Sequence, residues 1–220
     1  MKLGLFGGTF DPIHRGHLDV ARAARQALAL DEVWLVPARV PPHRTTPHAS
    51  AAHRFAMVAL AIEDETGLRV SDVEMENDSP SYTIATLDRL EASGVDMRSL
   101  FLITGVDAFK DIRSWKGYPA LLTRCHLVVV SRPGLAAMQM RTEMPELADR
   151  MHETPCTVPP AASIFLVDAP TAPVSSTGVR QAIEARESLD ALVPPRVAAY
   201  ITRQALYGGD GPVGSRKGHA

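Results

Sequence analysis

The chain has 220 residues, 45% of them hydrophobic and 22% charged, with 23 Lys and Arg against 25 Asp and Glu and a formal charge of −2. That balance supplies a packed core and gives no general pull toward nucleic acid, so any anion site has to be local. Cys125 and Cys156 match no metal-ligand spacing, no apolar run approaches the ~20 residues that span a bilayer, and the opening apolar run is too short for a secretory signal, so a reduced, cytoplasmic protein away from membranes is expected.

Residues 1–6, apolar except for Lys2, read as a buried strand. Gly7-Gly8-Thr9-Phe10-Asp11-Pro12 follows as a turn whose glycines let backbone amides approach a ligand and whose proline stiffens it. Leu18, Ala21, Ala24 and Leu28 then recur at helical spacing. His14 and His17, three residues apart at the start of that helix, can share a face. A helix N-terminus that also offers imidazole donors suits a phosphate.

Val33 to Val36 is a second buried strand, and strand, helix, strand makes a right-handed βαβ unit. The fold class is therefore α/β with a parallel sheet. Residues 37–47 hold four prolines and form a loop at the carboxyl end of the second strand. It reads either as a stiff solvated connector or, from its position, as part of the ligand edge of the sheet. His53 to Ile62 is a helix whose Phe55 and Met57 belong to the core. Leu68 to Val70 and Val73 to Glu76 read as strand material around a turn, and Ser79 to Thr83 as another turn. Ser81 or Thr83 can cap the helix that runs through Leu87 and Leu90 to Gly94.

Ser99 to Thr104 is the clearest central strand, and Gly105 and Asp107 follow it on the ligand edge. Asp107 reads equally as a helix N-cap. Trp115 lies in a polar segment, where its indole either offers a stacking face or folds back onto the core. Cys125 to Val130 is the next parallel strand, closed by Ser131-Arg132-Pro133-Gly134, which puts Arg132 on the same edge. Leu135 to Pro160 carries four methionines, reads as a helix and a proline-rich link, and suggests no function. Ser163 to Val167 is a further strand. After it, Ser176, Thr177 and Arg180 share the first turn of a helix, either as a cradle for distal phosphates or as an ordinary capped start. Pro194-Pro195 begins a last helix through Leu206, and the Gly-rich tail 208–220 is expected to be disordered.

Taken together, an ordered series of segments resembles the nucleotidyltransferase superfamily of α/β phosphodiesterases. Within that superfamily it is similar to the bacterial nicotinate-nucleotide adenylyltransferases. The series comprises Gly7 to Leu18 with its His14-x-Gly16-His17, Pro41 to Arg44, His53-Arg54, Ser81-Tyr82-Thr83, Gly105-x-Asp107, Trp115, Ser131 to Gly134, Ser175 to Arg180, and Val193-Pro194 to Tyr200-Ile201. The resemblance implies a Rossmann-like parallel sheet with helices on both faces, in one domain over residues 1–207 whose part from about 175 is helical. It implies adenylyl transfer from ATP to nicotinate mononucleotide, with Mg²⁺ accompanying ATP. His14, His17 and Arg180 would be catalytic. ATP would meet these three together with Gly7, Gly8, Thr9, Phe10, Gly105, Asp107, Arg132, Ser176 and Thr177. The mononucleotide would meet His43, Arg44, Ser81, Tyr82, Thr83, Asp107 and Trp115, with no dedicated metal site in the protein.

That chemistry agrees with what the residues offer. A phosphate monoester is already a nucleophile, so the protein has to align two anions and neutralise charge, work that falls to imidazolium, guanidinium and helix-start amides. The chain departs from the family pattern at Ala85, where aspartate is common, and at Arg44, where lysine is commoner. Phosphopantetheine or nicotinamide mononucleotide as acceptor, and a non-catalytic nucleotide-binding regulator, are the competing readings. Nothing in the sequence decides whether the chain forms a homo-oligomer.

Overall fold

The computed structural model describes residues 1–42, 46–75, 79–154 and 157–208. The strands are β1 (Leu3–Gly8), β2 (Glu32–Pro37), β3 (Leu68–Val70), β4 (Leu100–Gly105), β5 (His126–Val130), β6 (Met151–Glu153) and β7 (Ile164–Val167). They form one sheet in the order β3-β2-β1-β4-β5-β7-β6, parallel at every pairing. The helices are α1 (Arg15–Leu28), α2 (Ala51–Ala61), α3 (Thr83–Ala92), α4 (Val106–Lys110), α5 (Leu121–Arg124), α6 (Met140–Glu143), α7 (Ser176–Glu184) and α8 (Pro195–Arg203). None of the described helices is long and apolar enough to cross a membrane.

Because successive strand residues point to opposite faces, one sheet feeds two cores. Phe6, Leu35, Phe101, Ile103, Val128 and Phe165 point to one side, where they meet α1, α2, α7 and α8. Leu5, Leu102, Leu127, Val129 and Leu166 point to the other, against α3, α4, α5 and α6. Helices thus cover both faces, as the family resemblance implied. The connection out of β1 runs to α1 on the first face and that out of β4 to α4 on the second. A crevice is left between the carboxyl ends of β1 and β4, where the strand order reverses.

Several sequence-based expectations need correction. Gly7 and Gly8 are the last residues of β1, paired with Val36 and Pro37, so the turn begins at Thr9. Val73 to Met75 form a turn rather than a strand, tied to α3 by the Thr86 hydroxyl, which donates to buried Glu74; Glu76 lies outside the described residues. Neither Ser81 nor Thr83 caps α3, whose N-cap is Tyr82 with no side-chain bond. Leu206 lies past the end of α8. The segment 135–160 contains short 3₁₀ and α turns and the edge strand β6, and its Met140, Met144 and Met151 are buried in the second core. Cys125 is buried, which pushes its thiol up to about 12 and leaves it unreactive. Cys156 and residues 209–220 of the expected tail lie outside the described residues.

Gly4 shows how tightly β1 is seated. A Cβ there would stand 2.9 Å from the terminal methyls of Ile103 and Val33 and 3.0 Å from Leu30. Gly4→Ala is therefore expected to cost about 1–3 kcal/mol in urea-unfolding free energy through overpacking, and an unchanged value would mean that the first core yields there freely.

Candidate active site

The turn that leaves β1 is shaped by close packing. Phe10 adopts a left-handed φ of 50° and is 1% exposed, so its ring belongs to the core and only its backbone can face a ligand. That ring folds over Gly8, where a Cβ would stand 2.8 Å from it, and meets His17 edge-on at 5.0 Å. Gly7, by contrast, has open space where a side chain would be. One glycine makes room for the core, the other leaves the crevice clear.

His14 is the N-cap of α1 in extended conformation, and its ring lies over Gly16, 3.3 Å from where a Cβ would be. The His14 and His17 rings stack at 3.6 Å and 23°. The His14 backbone N–H donates to His17 Nδ1 at 3.3 Å, which fixes the tautomer of His17 with the proton on Nε2. His14 itself is not the imidazolium that the sequence suggested. Burial, with the Arg132 guanidinium adding to it, lowers its pKa to about 3, so the ring is neutral, and two stacked rings avoid like-charge repulsion. His14 Nδ1 is buried with no hydrogen-bond partner among the described residues.

Other segments close around this pair. Arg132, after β5, approaches Asp107 at 3.4 Å and packs on Gly105. Asp107 stands in the first turn of α4, whose cap is Gly105, so it is not the N-cap. At the start of α7, Ser175 rather than Ser176 is the capping residue, accepting from Gly178 N–H at 3.0 Å. Ser176 and Arg180 are thereby left to grip the turn: Ser176 Oγ donates to Pro12 O at 2.9 Å, and Arg180 Nη1 to Asp11 O at 2.7 Å. Arg180 Nη2 also donates to Thr177 Oγ1 at 3.2 Å. A cleft of about 300 Å³ opens here, lined by Gly16, Asp107, Arg132, Thr171 and Ser175 among others, and the buried hydroxyl of Thr171 has no partner among the described residues.

Of the residues predicted to meet the mononucleotide, Asp107 belongs to this first group, while Ser81, Tyr82, Thr83 and the Trp115 segment form a second. Ser81 pairs with Val40 of the loop after β2, its N–H donating to Val40 O at 2.9 Å and its Oγ accepting from Val40 N–H at 3.4 Å. Lys116 Nζ sits 4.3 Å from the centre of the Tyr82 ring, which brings the Trp115 segment alongside. Trp115 is half-buried and packs against the second core, with part of its indole left exposed. Thr83 is the first residue of α3. His43 and Arg44 lie outside the described residues.

Two residues that the sequence placed in family-like segments without giving them a role prove central to the site. Arg54, on the buried side of α2, is 1% exposed and donates to four backbone carbonyls: Thr9 at 2.7 Å, Ala38 at 2.6 Å, Arg39 at 3.1 Å and Ala49 at 3.2 Å. Its spacing three and four residues before the core residues Met57 and Val58 places it on the buried face, in the His53-Arg54 segment of the resemblance. Asp11, 5% exposed, accepts from His48 N–H at 2.7 Å, Ala49 N–H at 3.0 Å and the Tyr207 hydroxyl at 2.9 Å. No local pattern could announce those partners.

The cytidylyltransferase-like family model matches residues 5–182. A protein of Cronobacter sakazakii named "probable nicotinate-nucleotide adenylyltransferase" is 40% identical over 211 residues, 92% of this chain and 94% of that protein. One of the same name from Pseudomonas fluorescens is 40% identical over 208 residues, covering 94% and 97%. Among solved structures, the Plasmodium falciparum nicotinic acid mononucleotide adenylyltransferase complexed with NaAD superposes with a TM-score of 0.72 at 18% identity, over 93% of this chain and 96% of that one. At that identity the superposition speaks to the fold alone. The chain belongs to the cytidylyltransferase-like family, alongside the nicotinate-nucleotide adenylyltransferases.

Proposed function

We propose that this protein transfers the adenylyl group of ATP to nicotinate mononucleotide, forming nicotinate adenine dinucleotide and pyrophosphate. One observation carries the reading. The stacked His14–His17 pair stands at the N-terminus of α1, and Gly16 between the two histidines lines a cleft together with Asp107, Arg132 and the approach to α7. The relatives at about 40% identity that bear the name of this reaction support it.

In this reading a phosphate oxygen of the acceptor attacks the α-phosphorus of ATP. The bond from that phosphorus to the bridging oxygen breaks, and pyrophosphate departs with the electron pair. No general base is needed, because the nucleophile is already an anion. The protein's part is alignment and charge neutralisation. His17, with its proton on Nε2, offers a donor to a phosphate oxygen. His14, buried and neutral, keeps the neighbouring ring in place and helps to exclude water. Arg132 and Arg180 supply the positive charge, aided by amides at the starts of α1 and α7. The Gly7-to-Phe10 backbone, Gly105, Asp107, Ser176 and Thr177 complete the proposed ATP side. Ser81, Tyr82, Thr83, Trp115, His43 and Arg44 form the proposed acceptor side. Magnesium enters as part of the substrate, MgATP, with phosphate oxygens as its chief ligands. Among the described residues no three His, Cys, Asp or Glu side chains are grouped to cage an ion.

Three outcomes test this reading. Mixing MgATP with nicotinate mononucleotide should release pyrophosphate, and nicotinamide mononucleotide or phosphopantetheine should give much less. Equal turnover with phosphopantetheine would reassign the acceptor. His17→Ala should lower kcat at least ~10²-fold, the loss of one preorganised donor, whereas an unchanged rate would move the chemistry away from α1. The third concerns His14, whose lowered pKa means that the unfolded chain binds a proton the folded one refuses as pH falls from 6.5 toward 3. That contribution to stability is present above pH 6.5 and is lost on acidification. Urea-unfolding free energies should therefore fall between pH 6.5 and 5.5 more steeply for the wild type than for His14→Asn, by up to ~1.4 kcal/mol per pH unit. Parallel slopes would mean that His14 titrates normally.

A further inference from the structure

The loop between β2 and α2 enters at Ala38 and Arg39 and leaves at His48 and Ala49, and two buried ionic side chains meet it at both ends. Arg54 donates to Ala38 O and Arg39 O at the entrance, to Ala49 O at the exit, and to Thr9 O on the turn after β1. Asp11, itself on that turn, accepts from the backbone N–H groups of His48 and Ala49 at the exit. The carbonyl of the same Asp11 takes a hydrogen bond from Arg180 at 2.7 Å. Tyr207, beyond α8, supplies a third donor to the Asp11 carboxylate at 2.9 Å.

A guanidinium that is 1% exposed and a carboxylate that is 5% exposed are costly to bury, and packing alone would be served as well by apolar side chains. The hydrogen bonds of this pair instead go to the backbone of the turn or to the two ends of the loop, apart from the one with the Tyr207 hydroxyl. Opposite charge also couples the two side chains, since Asp11 favours the charged form of Arg54 against the pull of burial. The polar cost is therefore spent on one relationship, the place of the loop relative to the histidine-bearing turn.

We infer that Asp11 and Arg54 are positioning residues that clamp both ends of the β2–α2 loop onto the phosphate-binding turn, with Tyr207 completing the clamp from the end of the fold. They set where the acceptor lies relative to ATP. The inference rests on the proposed function only in naming what the loop approaches.

The test separates the two. Amide hydrogen exchange of the ligand-free protein needs no substrate. In Asp11→Asn, where an amide replaces a pure acceptor, exchange at His48 and Ala49 should speed up at least ~10-fold while β1 and β4 keep their protection, as expected for loss of hydrogen bonds to a charged group. Tyr207→Phe, which keeps the carboxylate and both backbone bonds, should give a smaller change in the same direction and guards against failure of Asp11→Asn to fold. In steady-state assays both variants should raise KM for the nucleotide acceptor, Asp11→Asn by about tenfold, and leave KM for ATP within about twofold. Unchanged exchange at residues 48–49, or an equal rise in both KM values, would overturn the clamp. A wild type that transfers no adenylyl group yet shows the expected exchange would remove the proposed function and leave the clamp standing.

Discussion

The fold turns on one constraint, the point where β1 lies between β2 and β4 and the chain leaves the sheet toward opposite faces. A parallel sheet buried on both faces cannot open a ligand site on its flat surfaces, so the crevice at this reversal is the available concavity. Gly4 lets β1 pack there without a side chain, Gly8 yields to Phe10, and Gly7 leaves the crevice clear. The histidines, Arg132 and the start of α7 all take their places from that arrangement.

Positive charge near the crevice is held rather than free. Arg54 directs its donors at carbonyls, Arg132 leans on Asp107, and Arg180 bridges Asp11 O and Thr177. A protein with a net charge of −2 thus still places Arg132 and Arg180 beside the crevice. Groups fixed beforehand need little reorganisation when charge moves between phosphates. Burial keeps the His14 ring neutral, and the His14 backbone N–H orients His17.

Much of this was legible in the sequence because it is local. Apolar runs at Val33, Leu100 and Leu127 announce strands, and the spacing of Leu18, Ala21 and Ala24 announces α1. What was missed depends on distance or on surroundings. Strand β6 is three residues long with one buried side chain, too short for alternation to register. Gly7 and Gly8 looked like a turn because glycine is common in turns, yet pairing with β2 carries them into the sheet. The neutral state of His14 follows from burial, which residue spacing does not reveal. Ser81 resembled a cap but is held by Val40, far away in the chain.

The anchors of the histidine-bearing turn have an order in time as well as in space. Ser176, Arg180, Asp190, Leu192 and Tyr207 all reach back to residues 11–15, across 164 to 196 positions. During synthesis the first strand and α1 emerge early, and the contacts from residues 48–54 soon after, but a second set that fixes their junction comes from the last fifth of the polypeptide. Such long-range closure is slow, and a nascent chain that stops before residue 176 has all seven strands and none of these anchors. The geometry of the turn is thus completed only after the sheet is, when these late anchors join the earlier ones from the β2–α2 loop and α2.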